Sequence, residues 1–268
     1  YLLYALFASD LVELANVRWR TLHRQFNAIT SMPPENAPFV SIHLPCSDEP
    51  PDIVRRTLIS LSQLIYPNFE VIVISNNYSD QTRWRPLETQ CAQLGPRFHF
   101  VHRDQHPGFK AGALNLARAL ADKRTEIVAV VDSDYIVDPD WLNTLIPLFE
   151  DAEIALVQAP QDHQLPSDNG FKQACFWEYA GFFQIGMLQR NEADAIIQHG
   201  TMTLIRSTAL DEVDGWGEWC ITEDAELGLR LFAAGWHSAY IPRSFGRGLL
   251  PDEFLAYKEQ RFRWVFGA

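Results

Sequence analysis

Two aspartates separated by one residue directly follow the most hydrophobic run of the chain. Asp132 and Asp134 come straight after EIVAVV (126–131). In extended backbone, residues i and i+2 point to the same side, so both carboxylates can face one cation. Hard oxygen ligands suit Mg²⁺ or Mn²⁺, which keep open positions for diphosphate oxygens. The alternative is a solvated turn, because DPD at 138–140 is typical of a helix start.

Three other apolar runs also end in polar residues. They are FVSIHL (39–44), which leads to PCSDE, FEVIVI (69–74), which leads to SNNYSD, and FHFVH (98–102), which leads to HRD. Ligands of open parallel sheets bind outside the carboxyl ends of the strands. One such polar segment is a loop, whereas four that converge on one edge indicate a site.

A lysine lies at the start of the helical pattern GFKAGALN (108–115). A helix N-terminus together with Lys110 is a suitable anion site. The spacing matches neither a P-loop nor GxGxxG, which argues against an NTPase and against a dinucleotide-dependent oxidoreductase.

Acidic residues also occupy a helix start in WCITEDAELGLRLFAAGW (219–236). Glu223 and Asp224 would complement the helix dipole there in any protein, which is the structural explanation. The functional interpretation is a general base. The helix N-terminus weakens a carboxylate as a base, which is tolerable if the proton moves after the bond to the leaving group has largely broken.

The segment QRFRW (260–264) places Gln260, Arg263 and Trp264 on one helical patch. An arginine can bind a diphosphate through two hydrogen bonds, and an indole can stack on a sugar face. The alternative is a surface arginine beside a tryptophan of the core or of a membrane-proximal surface.

These stretches need a scaffold, and the hydrophobic pattern predicts one. Helices are expected between the four strands, over 52–65, 82–94 and 109–121. This alternation predicts a mostly parallel sheet covered by helices, an α/β fold. The alternation loosens after Pro160, where we expect a helix over 171–190, a strand over 201–206, a helix over 223–234 capped by Thr222 and ended by Gly235, and a C-terminal helix.

Composition limits the function further. With 268 residues, 47% of them apolar, the chain can form one large domain or two intimate subdomains. A net charge of -12 argues against a general nucleic-acid partner. The four cysteines are far apart and form no CxxC pair, which favours a reducing compartment over a disulfide framework.

The first residues differ in character from the rest. Asp10 and Glu13 interrupt the apolar run too early for a membrane span. The segment is either the end of a truncated membrane helix, an amphipathic helix on a membrane surface, or a helix packed on its own domain. A Pro-rich linker follows at 31–38, and the chain starts without Met, so we expect a piece of a longer protein. The near-helical leucines are Leu3, Leu11, Leu14 and Leu22.

Taken together, these motifs resemble the processive, membrane-embedded family 2 glycosyltransferases, which include cellulose, hyaluronan, chitin and bacterial β-glucan synthases. The resemblance covers about residues 38–268 and depends mainly on DxD, TED and QxxRW in this order. Further matching elements are Pro45 with Glu49, the loop around Asn76, Lys110, VQAPQ (157–161) and HGTM (199–202).

The resemblance implies a GT-A fold with a Rossmann-like nucleotide half, a UDP-sugar donor and an inverting single displacement that depends on Mg²⁺ or Mn²⁺. It divides the chain into an N-terminal helix and linker (1–37), a nucleotide-sugar half (38–150) and an acceptor half (151–268). Asp132 and Asp134 would bind the metal, and Asp224 with Glu223 would form the catalytic pair. The implied donor residues are Pro45, Glu49, Asn76, Lys110, Asp132, Asp134 and Arg263. The implied acceptor residues are His199, Gly200, Thr201, Gln260 and Trp264.

One position departs from the family, which has an Asp pair after the second strand, one member of which reads uracil. SNN stands at 75–77, and Asn76 can still pair with uracil N3–H. GFKAGALN, WCITEDAELGLR and GRGLLPDEF are most similar to bacterial synthases of curdlan or cyclic β-glucan, which implies UDP-glucose and a glucan acceptor. We therefore expect the bacterial inner membrane, with the domain on the cytoplasmic side. The alternatives are a non-processive transferase, a UDP-GlcNAc-dependent synthase and an inactive sensing module.

Overall fold

A computed structural model describes residues 2–19, 23–24, 26, 37–166 and 169–267. The described residues form strands in both halves of the sequence. In chain order they are β1 (Phe39–Cys46), β2 (Phe69–Asn76), β3 (Phe98–Arg103), β4 (Thr125–Val130), β5 (Ile136–Val137), β6 (Ile154–Gln158), β7 (Asp162–His163), β8 (Thr203–Arg206), β9 (His237–Tyr240) and β10 (Gly246–Gly248).

The helices cover both faces of the strands. They are α1 (Leu2–Trp19), α2 (Pro51–Ser62), α3 (Gln81–Leu94), α4 (Phe109–Leu120), α5 (Trp141–Leu145), α6 (Gly170–Gly181), α7 (Met187–Glu192), α8 (Ser207–Glu212), α9 (Glu223–Ala233) and α10 (Phe254–Gly267). A 3₁₀ segment (Ile146–Glu150) continues α5, and a π-helical segment (Phe182–Gly186) joins α6 to α7.

The main sheet has seven strands in the order β3-β2-β1-β4-β8-β6-β9. Its strands are parallel except β8, which runs antiparallel to both β4 and β6. The strands β5, β10 and β7 form a small second sheet. Because Cys46 lies opposite Ser75 and Asn76 opposite Arg103, the carboxyl ends of β1, β2 and β3 meet at one edge. The segment after β4 reaches the same edge.

Side chains alternate along these strands and so fill two layers. Ile42 and Leu44 of β1 belong to the layer that includes Leu58 of α2. Val128 and Val130 of β4 point the other way, into the layer that includes Leu227 of α9. The sheet is thus covered on both faces, and the expectation of a mostly parallel α/β fold of GT-A type is confirmed.

Several boundaries differ from the sequence-based expectation. Helix α2 ends at Ser62, not at residue 65, because the Ile65 N–H donates to Pro139 O at 2.9 Å. The expected helix over 171–190 is interrupted by the π-helical segment. Strand β8 begins at Thr203, two residues late, because Met202 has a left-handed φ of 53°. Strands β6 and β9 were not predicted.

The N-terminal segment is helical over Leu2–Trp19, as all three alternatives for it expected. Leu3, Leu11 and Leu14 of α1 are exposed, and the helix packs against α7 and the π-helical segment. Among the described residues, the helices are too short or too polar to cross a membrane. Leu22 and residues 27–36, which hold most of the expected linker, lie outside the described residues.

Candidate active site

A cavity of about 580 Å³ opens at the carboxyl ends of β1, β2 and β4. This is where an open parallel sheet binds its ligands. Each polar segment of the sequence that contributes to it follows a strand of the sheet. The lining includes Pro45, Ser47, Glu49, Asn76, Asn77, Phe109, Lys110, Asp132, Ser133, Asp134 and Leu249.

Asp132 and Asp134 both line this cavity. The Asp132 N–H donates to Thr201 Oγ1 at 3.0 Å, and Asp134 Oδ2 accepts from the Leu249 N–H at 3.0 Å. Between them, the Ser133 carbonyl accepts from Thr57 Oγ1 at 2.8 Å. Backbone contacts on three sides therefore fix the loop that follows β4.

The two carboxylates fit a divalent cation of the Mg²⁺ type. Burial and the neighbouring charge of Asp132 raise the pKa of Asp134 to about 6, against the Leu249 N–H, which lowers it. A bound cation would relieve this repulsion. The described residues contain no group of three or more metal-ligating side chains. A pair of carboxylates is nevertheless sufficient for Mg²⁺ or Mn²⁺, which takes its other ligands from water and substrate phosphates.

Lys110 joins the aspartates to the rest of the site. Its Nζ lies 2.5 Å from Asp132 Oδ1 and 2.8 Å from the Gly200 carbonyl oxygen. Burial alone would lower the pKa of Lys110, but Asp132, Glu223 and Asp224 outweigh it, so the pKa is raised and the ammonium stays charged. Lys110 is the basic residue of the cavity lining and can offer a charge to a diphosphate.

Gly200 lies beside both the Lys110 ammonium and the Asp224 carboxylate. A Cβ on this residue would be 2.7 Å from Lys110 Nζ and 3.1 Å from Asp224 Oδ2. Real Cβ atoms essentially never show contacts under 3.0 Å, so no larger residue fits without moving the ammonium. The absence of a side chain here lets the ammonium and the candidate base approach the same piece of backbone.

Helix α9 presents its first turn to this point. Glu223 is only 5% exposed, and burial raises its pKa; Lys110 opposes this shift and Asp224 adds to it. Asp224 Oδ1 accepts from the Ala225 N–H at 2.8 Å. Thr222 occupies the N-cap position as expected, although the described contacts include no cap hydrogen bond from its side chain.

The HGT segment lies next to α9, behind the described lining of the cavity, to which it contributes no residue. The His199 ring lies 4.8 Å from Phe183 and 5.5 Å from Phe182, measured between ring centroids. Burial lowers the pKa of His199 to about 4, against the charge of Asp224, so the ring is neutral at neutral pH. The π-helical segment places these two phenyl rings side by side against the histidine.

One end of the cavity is formed by the loops after β1 and β2. Burial raises the pKa of Glu49, although the Ser47 N–H donates to Glu49 Oε2 at 2.5 Å. Asn77 has a left-handed φ of 67°, and its Oδ1 accepts from the His106 N–H at 2.9 Å. Asn76 is 4% exposed and lines the cavity beside it.

The QxxRW segment is divided between two surfaces. Gln260 Oε1 accepts from Tyr179 OH at 2.7 Å. The Trp264 and Tyr179 rings are nearly perpendicular, with their centroids 6.0 Å apart. Arg261, not Arg263, shares this face, since its guanidinium lies 4.4 Å from the Trp264 ring.

Arg263 lies instead on the exposed surface of α10, in a pocket with Lys258, Glu259 and Phe262. The inward face of α10 follows the helical spacing i, i+3, i+4, i+7 and holds residues 257, 260, 261 and 264. The structure thus brings Gln260 and Trp264 together against α6 but leaves Arg263 outside the cavity.

Two contributors to the site were not predicted. The Leu249 N–H, which binds Asp134, comes from GRGLLP, a stretch that entered the resemblance but to which no role in the site was assigned. Gly248 lets the chain pass the ring of Tyr135, because a Cβ there would overlap that ring.

The fold is that of the GT-A glycosyltransferases. The chain belongs to a family described as "Glycosyltransferase like family 2", which matches residues 37–267. It is 29% identical over 237 residues to a cellulose synthase catalytic subunit (UDP-forming) of Xanthomonas axonopodis pv. citri (strain 306), covering 86% of this chain and 31% of that protein.

A second relative is named as a mannosyltransferase. Probable glucomannan 4-beta-mannosyltransferase 7 of Oryza sativa subsp. japonica is 27% identical over 239 residues, covering 86% of this chain and 40% of that protein. The chain thus spans less than half the length of these curated relatives.

A solved structure shares the fold. The mannosyltransferase PcManGT from Pyrobaculum calidifontis, in complex with GDP-Man and Mn²⁺, superposes with a TM-score of 0.72 at 19% identity. The match covers 98% of this chain and 70% of that one.

Proposed function

We propose that the protein is a metal-dependent, inverting glycosyltransferase that moves a hexose from a nucleoside diphosphate sugar to a polysaccharide acceptor. The observation that carries this proposal is that Lys110 Nζ contacts both Asp132 and the Gly200 carbonyl, while Asp224 Oδ2 lies 3.1 Å from the position of a Cβ on Gly200. A cation site, an ammonium and a carboxylate base around one point are what this displacement needs.

The chemistry follows from these groups. The acceptor hydroxyl oxygen attacks the anomeric carbon while the bond from that carbon to the phosphate oxygen breaks, and the electron pair leaves with the diphosphate. Asp224 takes the proton of the hydroxyl, and Lys110 stabilises the charge on the leaving group. When bound to Asp132 and Asp134, the divalent cation acts as a Lewis acid toward the diphosphate. Inversion follows from a single displacement, with no covalent intermediate.

The donor is proposed as UDP-glucose. The name of the cellulose synthase relative includes UDP-forming, and Asn76 can pair with uracil through its amide. A mannosyl donor is the second candidate, because the rice relative is named as a mannosyltransferase and the archaeal structure holds GDP-Man. An amide at residue 76 suits either base, since it offers both a donor and an acceptor.

The acceptor is proposed as the non-reducing end of a growing β-glucan. The partly exposed Trp264 ring and the Gln260 amide, on the same face of α10, support a sugar-binding role. We place the domain on the cytoplasmic side of a bacterial inner membrane, where segments outside this chain would anchor it. Addition of a single sugar, or use of UDP-GlcNAc, are the alternatives.

A donor panel tests the proposal. Membranes that contain the full-length protein are incubated with Mn²⁺ and UDP-glucose, GDP-mannose or UDP-GlcNAc, and product linkage is analysed. Polymer from UDP-glucose supports the proposal, and polymer from GDP-mannose supports the second candidate. Release of nucleotide with only one sugar added would replace the polymerase by a non-processive transferase.

A further inference from the structure

Gln158 is a fully buried amide at the end of β6, within the VQAPQ motif to which no role has been attached. Its Nε2 donates to the carbonyl oxygens of Ala159 at 2.7 Å and Thr201 at 3.0 Å. Its Oε1 accepts from the His199 N–H at 3.0 Å. One side chain therefore holds the HGTM turn from both ends.

The turn held in this way carries two contacts of the donor site. The Gly200 carbonyl accepts from Lys110 Nζ, and Thr201 Oγ1 accepts from the Asp132 N–H. The turn is not a regular strand, since Met202 has a φ of 53°, a left-handed conformation that is unfavourable for a residue with a side chain. Its shape thus depends on contacts from outside. Besides Lys110 of the donor site, Gln158 supplies described side-chain hydrogen bonds to its backbone, at His199 N–H and at the Thr201 carbonyl.

We propose that Gln158 is a positioning residue of the donor site, which holds Lys110 and Asp132 in register through the HGTM turn. The proposal deepens the proposed function and rests on it for its ligand. Outer groups that orient metal-binding residues typically change metal affinity by about 10- to 100-fold when they are removed. An isosteric apolar residue at 158 is expected to have an effect in this range.

The test compares two buried amides. Gln158→Met keeps the side-chain length and removes the hydrogen bonds. Asn191→Leu is the matched control, because Asn191 is 2% exposed and also bridges backbone groups, donating to Arg24 O at 2.7 Å and accepting from the Tyr240 N–H at 3.1 Å. Both variants lose stability, but only the first lies beneath the donor site.

The first readout is affinity for UDP with Mn²⁺, measured by calorimetry well below both melting temperatures. We expect Gln158→Met to bind at least tenfold more weakly than the wild type, and Asn191→Leu within twofold of it. An equal loss in both variants would assign the effect to stability and overturn the proposal, as would wild-type affinity in Gln158→Met.

The second readout needs no ligand. Amide hydrogen exchange at Asp132, whose N–H is bound by Thr201, is expected to be faster in Gln158→Met and unchanged in Asn191→Leu. If the wild type binds no UDP, the proposed function fails, whereas this exchange rate still decides the role of Gln158. Should Gln158→Met not fold, Gln158→Asn replaces it, since it keeps a neutral amide in the buried site but is one methylene shorter and cannot bind both the His199 N–H and the Thr201 carbonyl. Unchanged exchange and UDP affinity in that variant would equally overturn the proposal.

Discussion

The substitution Gly200→Ala is expected to impair the chemistry of the site while leaving the fold intact. The new Cβ would meet Lys110 Nζ at 2.7 Å, whereas ordinary contact begins at 3.4 Å, so the ammonium must move by about 0.7 Å. Nζ is the end of a flexible side chain that is 29% exposed, and it can move without disturbing the sheet. The ammonium then leaves its position at Asp132 and at the leaving group.

The expected cost is catalytic. A misplacement of about 1 Å at a reacting group can cost about 100-fold in rate, so a shift of this size predicts a loss of roughly 10- to 100-fold in kcat/KM. The free energy of unfolding should change by less than about 1 kcal/mol, as for substitutions that meet only a mobile side chain. Transfer is assayed by UDP release from UDP-glucose, and stability by thermal unfolding.

Gly181→Ala is the matched control for this variant. Among the described residues, nothing lies within 4 Å of a Cβ added at Gly181, the last residue of α6. This variant should keep wild-type turnover and gain up to about 1 kcal/mol of stability, because alanine is the better helix former. Wild-type turnover in Gly200→Ala, or unfolding of that variant at the growth temperature, would refute the reasoning.

Further variants probe the other groups of the site. Asp224→Asn should abolish transfer while UDP still binds with Mn²⁺, measured by turnover and calorimetry; wild-type turnover would remove Asp224 as the base. Asp134→Asn should weaken Mn²⁺ binding yet stabilise the fold at pH 7 by about 3 kcal/mol, because the carboxylate is ionised at this pH although its pKa in the fold is raised to about 6. This gain should be full above pH 6 and absent below pH 4 in thermal melts, and a gain independent of pH would contradict it. Arg261→Met should lower the stability of the fold, because it removes the contacts of Arg261 with Glu178 and Trp264. Arg263→Met should leave the stability unchanged. The UDP affinity of Arg263→Met decides whether Arg263 binds the diphosphate.

The first half of the chain could be predicted from sequence because local signals agree there. Four apolar runs alternate with amphipathic segments, and the strands begin within one residue of their expected positions. Asp132 and Asp134 could also be placed from sequence, because both directly follow one clearly apolar strand, β4.

The second half was harder because its strands are short and paired with distant segments. Strand β8 has four residues, runs antiparallel in the middle of the sheet and pairs with β4, about 75 residues earlier. Contacts such as Leu249 N–H to Asp134 join residues 115 positions apart, and no periodicity reports them. The orientation of α10 is a similar case, because packing on α6 selects Arg261 over Arg263.

The most direct test of the account is a calorimetric titration of the protein with UDP, with and without Mn²⁺, repeated with Asp132→Asn. Binding should require Mn²⁺ and be lost in the variant, because the cation joins this carboxylate to the diphosphate. Absence of UDP binding in the presence of Mn²⁺, or equal binding without the metal, would contradict it.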